Sequence, residues 1–181
     1  MKTGINLLCM ILVIATCLAC CTDLNPPEHR VSFRMRIHSF APQAASIPIS
    51  RGDPSPGSLW VWVFVLYGQN SGPVDPSPGP VGRLKVYGTS LSRPQDIINL
   101  SDTSGPLDID REYRVRWEYS AALGGQLFID DRPIGGRVGG GPLATHLSGT
   151  VRLKEQIYTG RGRPHSDFDG DVWDISVYSA Y

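Results

Sequence analysis

The stretch from Tyr113 to Asp130, YRVRWEYSAALGGQLFID, decides the fold class of this sequence. Apolar and charged residues alternate from Tyr113 to Tyr119. Because successive side chains of a strand point to opposite faces, this pattern predicts a strand with one buried face. Gly124-Gly125 is predicted to form the turn into a second strand over Gln126–Asp130. The stretch therefore predicts a β-hairpin with a shared apolar face.

The rest of the chain has a similar composition. No segment of useful length has helical periodicity, while 20 glycines and 15 prolines separate short runs rich in β-branched and aromatic residues. This composition is typical of an all-β sandwich or barrel. Strands are predicted at 31–40, 58–67, 82–87, 97–101, 112–120, 126–130, 150–157 and 171–178. Loops are predicted at 54–57, 72–82 and 135–141, where proline or glycine interrupts a ladder.

Alternation also assigns faces in other predicted strands. In the strand at 31–40, apolar residues lie on one face, and Arg34, Arg36 and His38 lie on the other. The strand at 58–67 is apolar on both faces, as expected for a strand that is covered on both sides. Two packed sheets are the simplest architecture with these faces. The tryptophans predicted to lie in the core are Trp60, Trp62 and Trp173.

Two segments resemble a known superfamily, the concanavalin A-like lectins and glucanases. Residues 168–178, FDGDVWDISVY, are similar to its closing strand, often written Phe-x-Gly-x-Ile-x-Asp-x-x-Ile-Tyr. Residues 113–131 are similar to its Trp-bearing hairpin, with Asp131 where glycine is usual. Within the superfamily, the sequence looks most like the laminin G-like modules of bacterial surface proteins. The resemblance covers most of 31–181 and implies a two-sheet antiparallel jelly-roll sandwich, while its motifs are structural rather than catalytic.

Residues 1–20 have the pattern of an export signal. Lys2 precedes an apolar run from Ile5 to Ala19, which is shorter than the roughly 20 residues that span a bilayer. Leu18-Ala19-Cys20-Cys21 resembles the bacterial lipobox, in which a cysteine is acylated before cleavage. Either Cys20 or Cys21 can be that cysteine, and Cys21 fits slightly better. An ordinary secretory signal with incidental cysteines is the alternative.

The remaining chain is expected to be an extracytoplasmic lipoprotein held on a bacterial membrane. Residues 21–30 are predicted to be a polar tether and 31–181 a single domain without a disulfide, since no cysteine follows Cys21. Thr22, not aspartate, follows that cysteine, which favours the outer membrane or cell surface over retention at the inner membrane. The whole sequence has 17 basic and 17 acidic residues, a balance that argues against nucleic-acid binding.

A cationic groove is the main candidate binding site. If the polar faces of two predicted strands share one sheet, a groove suited to the carboxylates or sulfates of an acidic polysaccharide results, because arginine grips such groups with two parallel hydrogen bonds. The residues of this groove are Arg34, Arg36, His38, Arg114 and Arg116. In the alternative, these arginines pair across strands with residues such as Glu118 or Asp174, or stay hydrated.

Calcium is the one cofactor that the sequence suggests. Asp167, Asp169 and Asp171 place three carboxylates at alternate positions, and calcium prefers several hard oxygen ligands. The segment does not match the full twelve-residue calcium loop. Phe168 and Gly170 between these residues are already explained by the closing-strand pattern.

The sequence favours binding over catalysis. Retaining glucanases need a pair of carboxylates about 5 to 5.5 Å apart, and the Glu-x-Asp-x-x-Glu strand that supplies them in the superfamily does not occur here. We therefore expect a non-catalytic domain that binds a glycan or an envelope protein. Two alternatives stay open: a structural subunit of an envelope assembly, and a relative of polysaccharide lyases or glycoside hydrolases.

Overall fold

The computed structural model describes residues 27–40, 45–52, 60–68, 82–144, 149–155 and 168–180. The described residues form ten strands: β1 (His29–Ile37), β2 (Ala45–Gly52), β3 (Trp60–Tyr67), β4 (Arg83–Ser90), β5 (Arg93–Asn99), β6 (Glu112–Ser120), β7 (Gly124–Ile129), β8 (Arg132–Val138), β9 (Val151–Glu155) and β10 (Gly170–Ser179). Within this part of the chain, no helix has the length and apolar character needed to cross a membrane.

The strands form two five-stranded sheets, and every pair of neighbouring strands is antiparallel. Sheet A has the order β10-β1-β6-β7-β8, and sheet B has the order β5-β4-β3-β2-β9. The chain passes between the sheets after β1, β5, β8 and β9. This arrangement confirms the predicted all-β, two-sheet antiparallel sandwich of jelly-roll type.

One aromatic-rich core lies between the two sheets. The predicted apolar faces of β1 and β6 both enter it: residues such as Phe33, Met35 and Trp117 are 0 to 1% exposed. Trp62 and Phe64 enter it from β3, and the ring of Phe64 meets that of Phe33 edge-on at 5.0 Å between centroids. Burying rings of this size supplies much of the favourable free energy of folding.

The β6–β7–β8 meander corrects one prediction about glycine. Gly124 and Gly125 belong to β7 and do not form the turn, which lies at 121–123. A Cβ on Gly125 would stand 1.9 Å from the carbonyl oxygen of Leu100, so close approach of another segment explains this glycine. The tight turn comes next, at Asp130-Asp131, with φ of 51° and 63°. Two central residues at positive φ define a type I′ hairpin turn, a backbone that aspartate tolerates better than most residues.

Two strands escaped the sequence pattern, β2 and β8. Pro48 interrupts β2, and the ladder shifts register between Ser46 and Ile49, where a missing N–H is tolerated. β8 contains Pro133, Gly135 and Gly136 and forms an edge of sheet A. The loop predicted at 135–141 is therefore wrong for its first four residues. The predicted loop at 54–57, residues 72–81 and the whole leader at 1–20 lie outside the described residues.

β3 is buried on both faces, as predicted. Its inner face belongs to the core, while Val63 and Val65 join a second apolar cluster on the outer face of sheet B, together with Ala45 and Ile47. Trp60 packs against this second cluster, so its predicted place beside Trp62 in the core is wrong. A register shift where Arg51 pairs with Trp62 and Gly52 with Trp60 inserts one extra residue in β3 and reverses the face.

A similar bulge in β10 overturns the prediction for Trp173. Ser32 pairs with Ser176, but Arg34 pairs with Trp173, so β10 has one extra residue there. Asp174 absorbs it with a φ of 51°. Val172 and Val177 pack against the core on either side of the bulge. Trp173 is consequently placed on the outer face of sheet A.

Candidate functional site

The structure places the four arginines of the predicted groove on one surface. Arg34 lies opposite Arg114 across β1 and β6, Arg36 lies opposite Glu112, and Arg116 lies opposite Ser32. Opposed residues in an antiparallel ladder point to the same face. We call the outer face of sheet A, which carries these side chains, the charged face.

Three of the four arginines are neutralised by neighbouring carboxylates. The guanidinium of Arg34 lies 2.8 Å from Glu112 and 3.2 Å from Asp174, and that of Arg114 lies 2.9 Å from Asp131. Such exposed pairs contribute about 0 to 1 kcal/mol each to stability. The charged face is thus a lattice of paired charges rather than a continuous cationic groove, as the sequence alternative anticipated for Asp174.

Arg116 is held more firmly than the others. It donates a hydrogen bond of 2.5 Å to Glu118 and stacks over the ring of Phe128 at 3.7 Å. The Glu118 side chain is only 9% exposed and also accepts a contact of 3.1 Å from Arg30. Two cations therefore contact the Glu118 carboxylate, and the ring of Phe128 covers the guanidinium of one of them, Arg116.

Arg36 differs from the other three arginines. Its side chain is exposed, and within the described ranges no carboxylate or hydrogen-bond acceptor engages its guanidinium. On β10, the residue opposite Arg36 is Asp171, but the carboxylate of Asp171 is engaged by His38. Arg36 therefore offers its donors to solvent or to a ligand.

His38 follows the end of β1 and acts as a clasp. Its Nδ1 lies 2.9 Å from Asp110, and its Nε2 lies 3.1 Å from Asp171. These two carboxylates, Asp110 first, raise the pKa of the imidazole above its ordinary value, because only the protonated ring donates from both nitrogens. His38 thus joins β1, β10 and the turn before β6, at one end of the charged face.

Sequence reasoning missed two residues that lie beside Arg36. Trp173 is directly opposite Arg34, and Lys154 reaches the same place from β9 of sheet B. Together with Arg36, Asp171 and Val172 they line an open depression of about 450 Å³. Strict alternation of side chains along β10 assigns Trp173 to the core, and the bulge at Asp174 breaks this alternation. The only signal in the sequence was the aspartate itself, which tolerates positive φ better than most residues.

The predicted calcium ligands are dispersed among protein partners. Asp169 accepts a hydrogen bond of 2.6 Å from the Ser39 hydroxyl, and Asp171 engages His38. Asp167 lies outside the described residues. In the parts of the chain that the structure describes, no three potential metal-ligating side chains cluster. Calcium binding stays a prediction.

Comparisons with known proteins agree with the fold. No family profile matches the sequence, and no curated protein matches it. Among solved structures, Trypanosoma rangeli sialidase in complex with sialic acid aligns with a TM-score of 0.52 and 14% identity, over 83% of this chain and 20% of that chain. Sheep galectin-11 in complex with glycerol aligns with a TM-score of 0.43 and 11% identity, over 83% of this chain and 89% of that chain. A polysaccharide lyase of family 18 aligns with a TM-score of 0.43 and 8% identity, over 86% of this chain and 74% of that chain.

The likeness to these proteins concerns the backbone. This chain spans about a fifth of the length of the sialidases that it matches. Identities this low show a shared fold and do not transfer a ligand or an activity. The two antiparallel five-stranded sheets and the sialidase alignment lead to the same conclusion: the chain is an all-β jelly-roll sandwich.

Proposed function

We propose that this chain is a lipid-anchored, extracytoplasmic binding protein that holds a glycan on its charged face and performs no chemistry. One observation carries the proposal. Trp173, Arg34 and Arg114 form a row across three adjacent strands of sheet A. An indole and two guanidinium groups therefore share one sheet surface.

This row suits the chemistry of a sugar. A pyranose ring has an apolar C–H side that an aromatic ring can cover, and its hydroxyls accept hydrogen bonds from fixed donors. An arginine has five N–H donors in a planar fork, so a carboxylate such as Glu112 or Asp131 occupies only part of it. The paired arginines are held in place with donors to spare, which lowers the entropy cost of binding.

A glycan array with the mature lipoprotein in detergent tests the proposal. We expect binding to at least one glycan class, and we expect Trp173→Ala to weaken it about tenfold or more, since stacking on an aromatic ring is lost. Thr150→Ala, distant in sequence from this row, serves as the control. Absence of binding to every neutral and acidic glycan would contradict the proposal, and a stable complex with an envelope protein would then favour the structural alternative.

Catalysis is tested separately with uronic-acid polymers. A binding domain leaves these polymers intact, whereas a lyase releases unsaturated products that absorb ultraviolet light. Appearance of such products with the purified chain, and their loss in the His38→Gln variant, would replace the proposal by the lyase alternative.

The anchor is proposed from the leader alone. The structure begins β1 at His29, two residues earlier than the tether predicted at 21–30 allows. Acylation at Cys21, or at Cys20, would therefore leave the residues before β1 as a tether and hold the domain at the outer membrane or cell surface. Metabolic labelling with a palmitate analogue tests this in a bacterial host. Label that is lost in Cys21→Ser and kept in Cys20→Ser identifies Cys21, and the reverse pattern identifies Cys20. Label that neither single variant nor the double variant changes would contradict lipidation.

A further inference from the structure

We infer that the depression between β9 and β10 is a subsite for a negatively charged sugar, one that carries a carboxylate or a sulfate. The inference rests on the proposed glycan-binding function and specifies its ligand class. Three side chains from three strands supply the chemistry: Arg36 from β1, Trp173 from β10 and Lys154 from β9. Both sheets therefore contribute to one site.

The size and openness of the depression fit a sugar residue. Its volume of about 450 Å³ falls within the range of about 300 to 1,000 Å³ that is usual for small-molecule sites. Trp173 is partly buried, so part of its side chain stays accessible to a ligand. The depression lies where β9 of sheet B and β10 of sheet A, each an edge strand, approach each other.

The charge of the depression sets it apart from the rest of the charged face. Arg34, Arg114 and Arg116 each have a carboxylate partner. Within the described residues, neither Arg36 nor Lys154 has one. Asp171, the acidic residue in the lining, is held 3.1 Å from the imidazole of His38. Two cations that have no carboxylate partner among the described residues therefore lie beside an indole, and an anionic group placed there gains charge-assisted hydrogen bonds.

The backbone at Lys154 provides a second, independent observation. Its φ is +53°, in the left-handed region that lysine rarely adopts. Non-glycine residues held in this region concentrate at ligand sites, where the strained conformation places a side chain that a regular strand would not. At Lys154 the strain coincides with the position that faces Arg36 and Trp173 across the sandwich edge.

The experiment compares oligosaccharides that differ only in their acidic group. Trigalacturonate is paired with its carboxyl-reduced form, sialyllactose with lactose, and a heparin hexasaccharide with its desulfated form. Affinities are measured by calorimetry on the mature lipoprotein in detergent. We expect at least one acidic member to bind ten times or more tightly than its neutral match, with a preference that shrinks as salt rises, because exposed charges are screened.

Variants then locate the preference. Lys154→Gly removes the ammonium and relieves the left-handed backbone, so it is expected to fold at least as well as the wild type while losing about tenfold in affinity for the acidic sugar. Arg36→Ala is expected to lose a similar factor, and Lys154→Arg to keep most of the affinity. Arg111→Ala is the matched control, since it removes an exposed arginine that already has carboxylate partners in Asp108 and Asp130 and that lies outside the proposed sugar-binding row.

The outcomes separate this inference from the function on which it rests. Glycan binding with no preference for the acidic member, or a preference unchanged in Lys154→Gly and Arg36→Ala, overturns the subsite and leaves the proposed function intact. Equal losses in Arg111→Ala and Lys154→Gly mean that the attraction for anions is not confined to the depression, which also overturns it. No binding to any oligosaccharide overturns both, and binding only to anionic lipid vesicles assigns the two cations to a membrane surface instead.

Discussion

The outer faces of the two sheets have opposite chemistry. The outer face of sheet A carries charged side chains, among them three arginines paired with carboxylates, Arg34, Arg114 and Arg116. The outer face of sheet B carries Ala45, Ile47, Val63 and Val65, each less than 10% exposed. Buried apolar area stabilises a fold, whereas exposed ion pairs contribute little. Both faces of sheet B therefore contribute buried apolar area to the stability of the fold. The outer face of sheet A contributes little to stability, so its side chains are available for binding.

The largest loss of stability is expected from a substitution in the apolar cluster on the outer face of sheet B. Val63 is 1% exposed, and Val63→Ala should lower the free energy of unfolding by about 2 to 3 kcal/mol, through lost burial and a residual cavity. The matched change on the charged face, Arg114→Ala, should cost less than about 1 kcal/mol, since its partner Asp131 is exposed. Urea unfolding of both variants checks the pair. Equal losses would refute the division between the faces.

A smaller effect is expected from the one polar contact described within the apolar cluster. The hydroxyls of Tyr67 and Tyr87 lie 2.5 Å apart, and burial raises the pKa of both phenols, so they stay protonated. Tyr67→Phe should cost about 1 kcal/mol. The double variant with Tyr87→Phe should cost less than the sum of the single ones, because both partners are then gone. Additive costs in unfolding experiments would show that the two hydroxyls do not interact.

The smallest effect concerns pH and belongs to the charged face. Because Asp110 and Asp171 raise the pKa of His38 above 6.5, its protonated form stabilises the fold. This contribution is complete below about pH 6.5 and is lost as pH rises through the folded-state pKa. His38→Gln should therefore lower the melting temperature more at about pH 5.5 than at about pH 8.5.

His29, at the other end of β1, provides the control for this prediction. Burial, followed by the charge of Arg51, lowers its pKa, so its protonation opposes folding as pH falls through about 6.5. Titration of both imidazoles by NMR should give the higher pKa to His38 and the lower one to His29. The reverse order of pKa values would show that Asp110 and Asp171 do not stabilise the protonated form of His38.

The sequence predicted the inner faces well and the outer faces poorly. The core residues of β1 and β6 follow strict alternation, since a strand without interruption keeps its period. Trp60 and Trp173 were misplaced because each lies next to a bulge, where one extra residue exchanges the two faces. A single sequence gives no reliable sign of a bulge, and here each bulge moved an aromatic ring from the predicted core to an outer surface.

The candidate site was only partly within reach of sequence reasoning. The shared face of Arg34, Arg36, Arg114 and Arg116 follows from alternation in two strands that then pair. Which arginine lacks a partner depends on contacts between strands far apart in sequence, such as Arg34 with Asp174 and Arg114 with Asp131. The place of Lys154 in the site could not be predicted from the sequence. Lys154 belongs to the opposite sheet, and its backbone has a left-handed conformation.

The pairing of β1 with β10 has a consequence for how the domain is made. The side chains of His29 and Ser179 are hydrogen-bonded across 150 positions of sequence, and β1 lies between β6 and β10 in its sheet. The hydrogen-bond ladder on one side of β1 therefore forms only when β10 is present. Contacts this distant in sequence slow folding. In a chain that leaves the ribosome N-terminus first, β1 therefore lacks its β10 partner until residues 170–179 have been made.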